Sequence, residues 1–106
     1  MAGHMFETFV VSEVLKSHMN VGRDPRNISF YRDSQKREIG LLIQDGKVMH
    51  PVEIKARANV RAEAVRNFEV LSSFTDYEVG FGNVICQTET PYMVSRDVQA
   101  IPVWAI

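Results

Sequence analysis

Apolar side chains recur in steps of three and four at Phe6, Phe9, Val10, Val14 and Leu15. That spacing lines one face of a cylinder and predicts an amphipathic helix from Phe6 to Met19. Asn20 and Gly22 are its stop signals, and Asp24-Pro25 marks a turn in the loop Arg23 to Asn27. The period then shortens. Ile28 to Arg32 reads as a short aromatic strand, and Asp33 to Lys36 as a polar turn. Arg37 to Gln44 alternates around Ile39, Leu41 and Ile43, with Leu42 facing the other way. Asp45-Gly46 is a two-residue hairpin signal. The return strand spans Lys47 to Ala56. It carries Val48, His50, Val52 and Ile54 on one face and Met49, Pro51, Glu53 and Lys55 on the other. Pro51 cannot donate to a ladder, so it predicts an edge, a bulge or a break.

A second helix is expected from Val60 to Phe74, capped by Asn59, with Ala64, Val65, Phe68, Leu71 and Phe74 on its packed face. Tyr77 to Gln87 reads as a strand holding a bulge or bend at Gly80-Phe81-Gly82. Its run Val84-Ile85-Cys86 is apolar on both faces, as in a covered central strand. Thr88 to Pro91 is a turn, and Val98 to Ile106 a final strand that Pro102 places at an edge or a break. The apolar ending predicts a C-terminus tucked into the fold. The order helix, three strands, helix, strand, strand describes a small α/β domain with a mixed central sheet, spanning 1–106 as one unit.

The 106 residues are 45% apolar and 24% charged, which is the composition of a globular domain. No stretch approaches the roughly 20 apolar residues that span a bilayer, and the start lacks the features of a signal peptide. Cys86 stands alone, which excludes an internal disulfide framework. A cytoplasmic protein without membrane contact is expected. Net charge is -1, so no global field attracts nucleic acid. The charge is uneven, however. Gly22 to Arg66 holds ten Lys or Arg against six Asp or Glu, and the remainder two against seven. A basic middle suits a local anionic partner.

Within that middle, Glu53 and Lys55 project from one strand face about 6.5–7 Å apart. A carboxylate there can hold a divalent metal beside a phosphate, and the ammonium can orient a water or stabilise developing charge. Most Glu-x-Lys pairs on strands are solvated surface pairs, so context decides. Tyr31, Arg32, Arg57 and Arg61 are candidate nucleic-acid contacts, with Arg66 nearby. His4, His18 and His50 have no metal-ligand spacing, and Cys86 reads as an inert buried thiol. Ser12, Ser17 and Ser72 have no triad partners.

Four ordered segments resemble a known family. They are Gly3 to Val10, Ser29-Phe30-Tyr31-Arg32-Asp33, Arg37 to Ile43 and Pro51-Val52-Glu53-Ile54-Lys55, with Ile101 to Ile106 as a matching end. Together they resemble the C-terminal domain of unknown function attached to bacterial and archaeal AAA-type ATPases. That resemblance implies a PD-(D/E)xK, restriction-endonuclease-like core. It carries catalytic roles to Glu7, Glu53 and Lys55, and a metal role to Glu53. Gly40 stands where the family places an aspartate, which removes a main ligand for Mg²⁺. Glu38, two residues from Gly40 on the same strand face, is the candidate substitute. No phosphate-binding loop of an ATPase is present, so the chain reads as an excised domain or a short gene product.

Three functions follow from these readings. The first is a degenerate nuclease-like module, without cofactor, that contacts nucleic acid or protein, whether an AAA-type ATPase module or another protein. The second is an active Mg²⁺-dependent nuclease using Glu7, Glu38, Glu53 and Lys55. The third is an interaction domain, dimerising through an exposed edge such as Val98 to Ile106.

Overall fold

A computed structural model describes residues 3–106. Met1 and Ala2, at the start of the expected domain, lie outside the described residues. Helix α1 runs Gly3–Asn20 and buries Phe6, Val10 and Val14. Phe9, expected on the same face, is exposed. The helix ends in a Schellman turn: Arg23 N–H donates to the His18 carbonyl and Gly22 N–H to that of Met19, with Gly22 at φ 76°. Asp24 then caps a short 3-10 turn, Pro25–Asn27, by accepting the Arg26 N–H.

Strands β1 (Ile28–Arg32), β2 (Glu38–Asp45) and β3 (Val48–Ile54) form an antiparallel meander. A 12-residue 3-10 helix, Ala62–Ser73, crosses over to β4 (Glu78–Val79) and β5 (Gly82–Cys86). Strands β6 (Tyr92–Ser95) and β7 (Val98–Pro102) complete the sheet. The described residues thus form a mixed α/β fold with one α-helix and a seven-stranded sheet, ordered β1-β2-β3-β5-β7-β6, with β4 paired to β3. The pairs β3–β4, β3–β5 and β5–β7 are parallel and the rest antiparallel.

Two apolar layers hold the sheet. Phe6, Val10 and Val14 of α1 pack on Leu41, Val52, Ile54 and Ile85. On the other face, Val65, Phe68 and Leu71 cover Ile39, Leu42, Met49, Val84 and Cys86. Strand β5 is therefore buried on both faces, as its unbroken apolar run requires.

Several expectations need correction. The second helix is 3-10 and starts at Ala62 without a side-chain cap, so Asn59 is not its cap. Val65, Phe68, Leu71 and Phe74 recur at steps of three, the 3-10 period. Ile39 does not share a face with Leu41 and Ile43. The register places both Gly40 and Leu41 opposite the single residue Phe30, and this bulge reverses the alternation. Tyr92–Ser95, which the pattern did not flag, is a strand, and it covers the outer side of β7. Strand β7 is thus interior and offers no edge for dimerisation. It ends at Pro102, where Val103–Ala105 turns into a 3-10 helix. The C-terminus is tucked in only as far as Val103, which packs against the layer under α1, whereas Trp104 is 71% exposed.

Pro51 sits in an interior strand opposite a break. Strand β4 pairs as far as Met49 and β5 begins at Val52, so the neighbouring ladder asks nothing of residue 51. The break is Gly80-Phe81. A Cβ on Gly80 would stand 2.5 Å from His50 Cε1 and 2.6 Å from Val48 Cγ1. His50 is in turn anchored, its Nδ1 donating to the Phe81 carbonyl at 2.9 Å. Gly80→Ala is expected to cost about 1–3 kcal/mol by overpacking, read as a lowered urea midpoint with unchanged slope.

Candidate functional site

Pairing between β2 and β3 ends at Leu41 opposite Val52. Beyond that point the Glu53 carboxylate turns into the gap between the strands. Its Oε1 accepts the Ile54 N–H at 3.2 Å and lies 3.4 Å from where a Cβ on Gly40 would stand. The same gap opens onto a polar cleft of about 420 Å³ walled by Lys36, Glu38, Glu53, Lys55, Arg57, Glu63, Ala64, Arg66 and Asn67. One wall is the end of β3 and the residues after it. There the Gln87 N–H donates to the Arg57 carbonyl at 3.0 Å, and the Val60 N–H to the Tyr92 hydroxyl at 2.7 Å. The 3-10 helix supplies the facing wall, with Asn67 Nδ2 donating to the Glu38 carbonyl at 3.1 Å.

The cleft brings together Glu38, Glu53, Lys55, Arg57 and Arg66 among the residues singled out from sequence. It does not bring in the others. Glu7 is exposed and outside the cleft wall, although α1 begins beside Ala56 and the Glu7 charge is felt at Glu53. Tyr31 is committed to packing: its ring lies 5.7 Å from that of Phe74, and its hydroxyl donates to Asp33 at 3.0 Å. Arg32 pairs across the strands with Glu38, Nε to Oε1 at 3.1 Å. Arg61 precedes the 3-10 helix, outside the wall. Lys36, Glu63 and Asn67 line the cleft and were not singled out. For Lys36 the available signal was a basic residue in the polar turn Asp33 to Lys36, just ahead of Glu38.

The charges of the cleft are unevenly matched. Among the described residues, Lys36, Lys55, Arg57 and Arg66 form no ion pair. Glu38 is engaged by Arg32. Burial pushes the Glu53 carboxyl above its ordinary value of 4.5, and the charges of Glu7 and Glu38 push the same way. The Ile54 N–H and the Lys55 ammonium oppose that shift without cancelling it. Cys86, elsewhere, is buried, and desolvation raises its thiol.

These residues do not fit the Mg²⁺ that the family resemblance implies. Among the described residues, no group of three or more His, Cys, Asp or Glu converges closely enough to hold a metal ion. Mg²⁺ demands near-octahedral oxygen ligation, and here Gly40 supplies no side-chain oxygen while Glu38 is paired. What the cleft can do is hold an anion against several cations.

The raised Glu53 carboxyl has a sign that can be tested. The folded state holds this proton more tightly than the unfolded chain does. Stability is therefore lost as pH rises from the ordinary 4.5 through the folded value. Glu53→Gln is expected to be more stable than the parent at neutral pH. That advantage should shrink as pH falls through the raised folded value and be gone below the ordinary 4.5, read from urea midpoints across the range.

No helix among the described residues is long and apolar enough to cross a membrane. Residues 2–106 match the family described as Domain of unknown function (DUF4143). No curated protein and no solved structure matches the chain.

Proposed function

The chain belongs to the family described as Domain of unknown function (DUF4143), and from that premise we propose a nuclease-like module that holds nucleic acid without cutting it. In this reading it serves an AAA-type ATPase, as the sequence resemblance implies. The order helix, three strands, crossover helix and a strand parallel to β3 is consistent with a restriction-endonuclease-like core.

One observation carries the proposal. Glu53 and Lys55 stand on the cleft wall, and the position that faces Glu53 at 3.4 Å is Gly40. The cleft keeps the cations that meet a phosphate backbone and has no second carboxylate at the position facing Glu53, where a catalytic metal would need one. Phosphate contacts of this kind give affinity without sequence readout. The alternative, an active nuclease, requires Glu38 to leave Arg32 and reach the gap by Gly40.

Two results are expected. Lys55→Gln, Arg57→Gln and Arg66→Gln should each weaken binding of a labelled DNA duplex and lower its log–log salt slope by about one. Mg²⁺ or Mn²⁺ titration followed by NMR should leave the Glu53 and Ile54 amides of the parent unmoved. The same titration should shift them in Gly40→Asp, whose new carboxylate joins Glu53 after a small adjustment at the Val52 carbonyl, 3.2 Å from the added Cβ. Metal-dependent shifts in the parent, or duplex binding that ignores these cations, would overturn the proposal.

A further inference from the structure

The loop between β1 and β2 is built around a single carboxylate. Asp33 Oδ1 accepts the backbone N–H groups of Gln35 and Arg37, both at 3.0 Å. Its Oδ2 accepts the Tyr31 hydroxyl at 3.0 Å and Arg37 Nε at 2.8 Å. The backbone closes the same loop, with Asp33 N–H donating to the Arg37 carbonyl and Lys36 N–H to the Asp33 carbonyl. The Asp33 side chain is only 17% exposed. Hydrogen bonding outweighs the burial that would raise its carboxyl, and holds it below the ordinary value.

The closed loop forces one residue into an unfavourable shape. Lys36 adopts φ 62°, the one positive φ outside glycine among the described residues. A lysine does not take that conformation without support, since its Cβ crowds the backbone there. The four bonds to Asp33 supply that support. The product is a lysine, unpaired by any acid among the described residues, on the cleft wall with Glu53, Lys55, Arg57 and Arg66.

We infer that Asp33 is a positioning residue for the cleft, folding the β1–β2 loop so that Lys36 stands where it contacts the bound phosphate backbone. The inference rests on the nucleic-acid reading of the cleft. Asp33 does not touch the ligand. Its carboxylate is consumed by the loop, and it acts through Lys36 alone.

A double-mutant cycle with a fluorescein-labelled DNA duplex tests this, with binding read by anisotropy at several salt concentrations. Asp33→Ala and Lys36→Gln should each weaken binding by a similar factor, about threefold, and each lower the salt slope by about one. Asp33→Ala added to Lys36→Gln should cost nothing more. Asp33→Asn, which keeps an acceptor for the two backbone N–H groups, should retain most of the affinity. Should Asp33→Ala fail to fold by circular dichroism, Asp33→Asn carries the same cycle: a small loss in the parent background and none in Lys36→Gln. Parent-level affinity in Asp33→Ala, or losses that multiply in the double variant, would overturn the inference and leave the nucleic-acid reading standing. A parent that binds no duplex even at low salt would overturn that reading, and the inference with it.

Discussion

Strand β3 has hydrogen-bonded neighbours on both edges and a packed layer on each face. The hairpin partner β2 runs against it, while β4 and β5 run beside it in parallel. Val52 and Ile54 are sealed under α1, and Met49 under the 3-10 helix. Burial of side chains of this size contributes about 1.5–3 kcal/mol each. A strand fixed in this way gives no room to its last residues. Glu53 lies near the end of this strand and Lys55 follows it directly, its N–H donating to the Ile85 carbonyl, so both are placed by the sheet.

The consequences for chemistry follow from what stands opposite. Where β2 and β3 part, the gap admits the Glu53 carboxylate because Gly40 has no side chain. The carboxylate is thereby pulled toward its own backbone and away from water, and its proton is held more tightly. A second acid at that point would convert the gap into a cation site. Without it, the local balance is set by Lys36, Lys55, Arg57 and Arg66. Their reach is short, since the chain as a whole carries a net charge of -1 and salt screens charges beyond about 8–10 Å. Attraction of an anion is accordingly a contact property of the cleft, not a field of the whole protein.

Much of this was legible in the residues. The strand position of Glu53, the hairpin at Asp45-Gly46 and the central character of β5 all follow from period and turn chemistry, although β3 ends at Ile54, one residue before Lys55. Other features depend on neighbours that periodicity does not see. The bulge at Gly40 moves Ile39 to the opposite face from Leu41, and only pairing with Phe30 reveals it. Pro51 is tolerated inside the sheet because β4 and β5 break beside it, an arrangement set by Gly80 and Phe81 some thirty residues later. Strand β6 is short and half-exposed, so its alternation is faint. Tyr31 and Arg32 carry the right chemistry for nucleic acid, but Phe74, Asp33 and Glu38 claim them first.

Binding and strand integrity can be read in a single sample of the parent protein with a labelled DNA duplex and Mg²⁺. Anisotropy would be followed as salt is raised, and strand length resolved by denaturing electrophoresis at the end. A non-cutting nuclease-like module gives salt-sensitive binding with every strand at full length. Shortened strands that disappear in Glu53→Ala would show that the cleft cuts after all, and binding absent at low salt would show that it is not a nucleic-acid site.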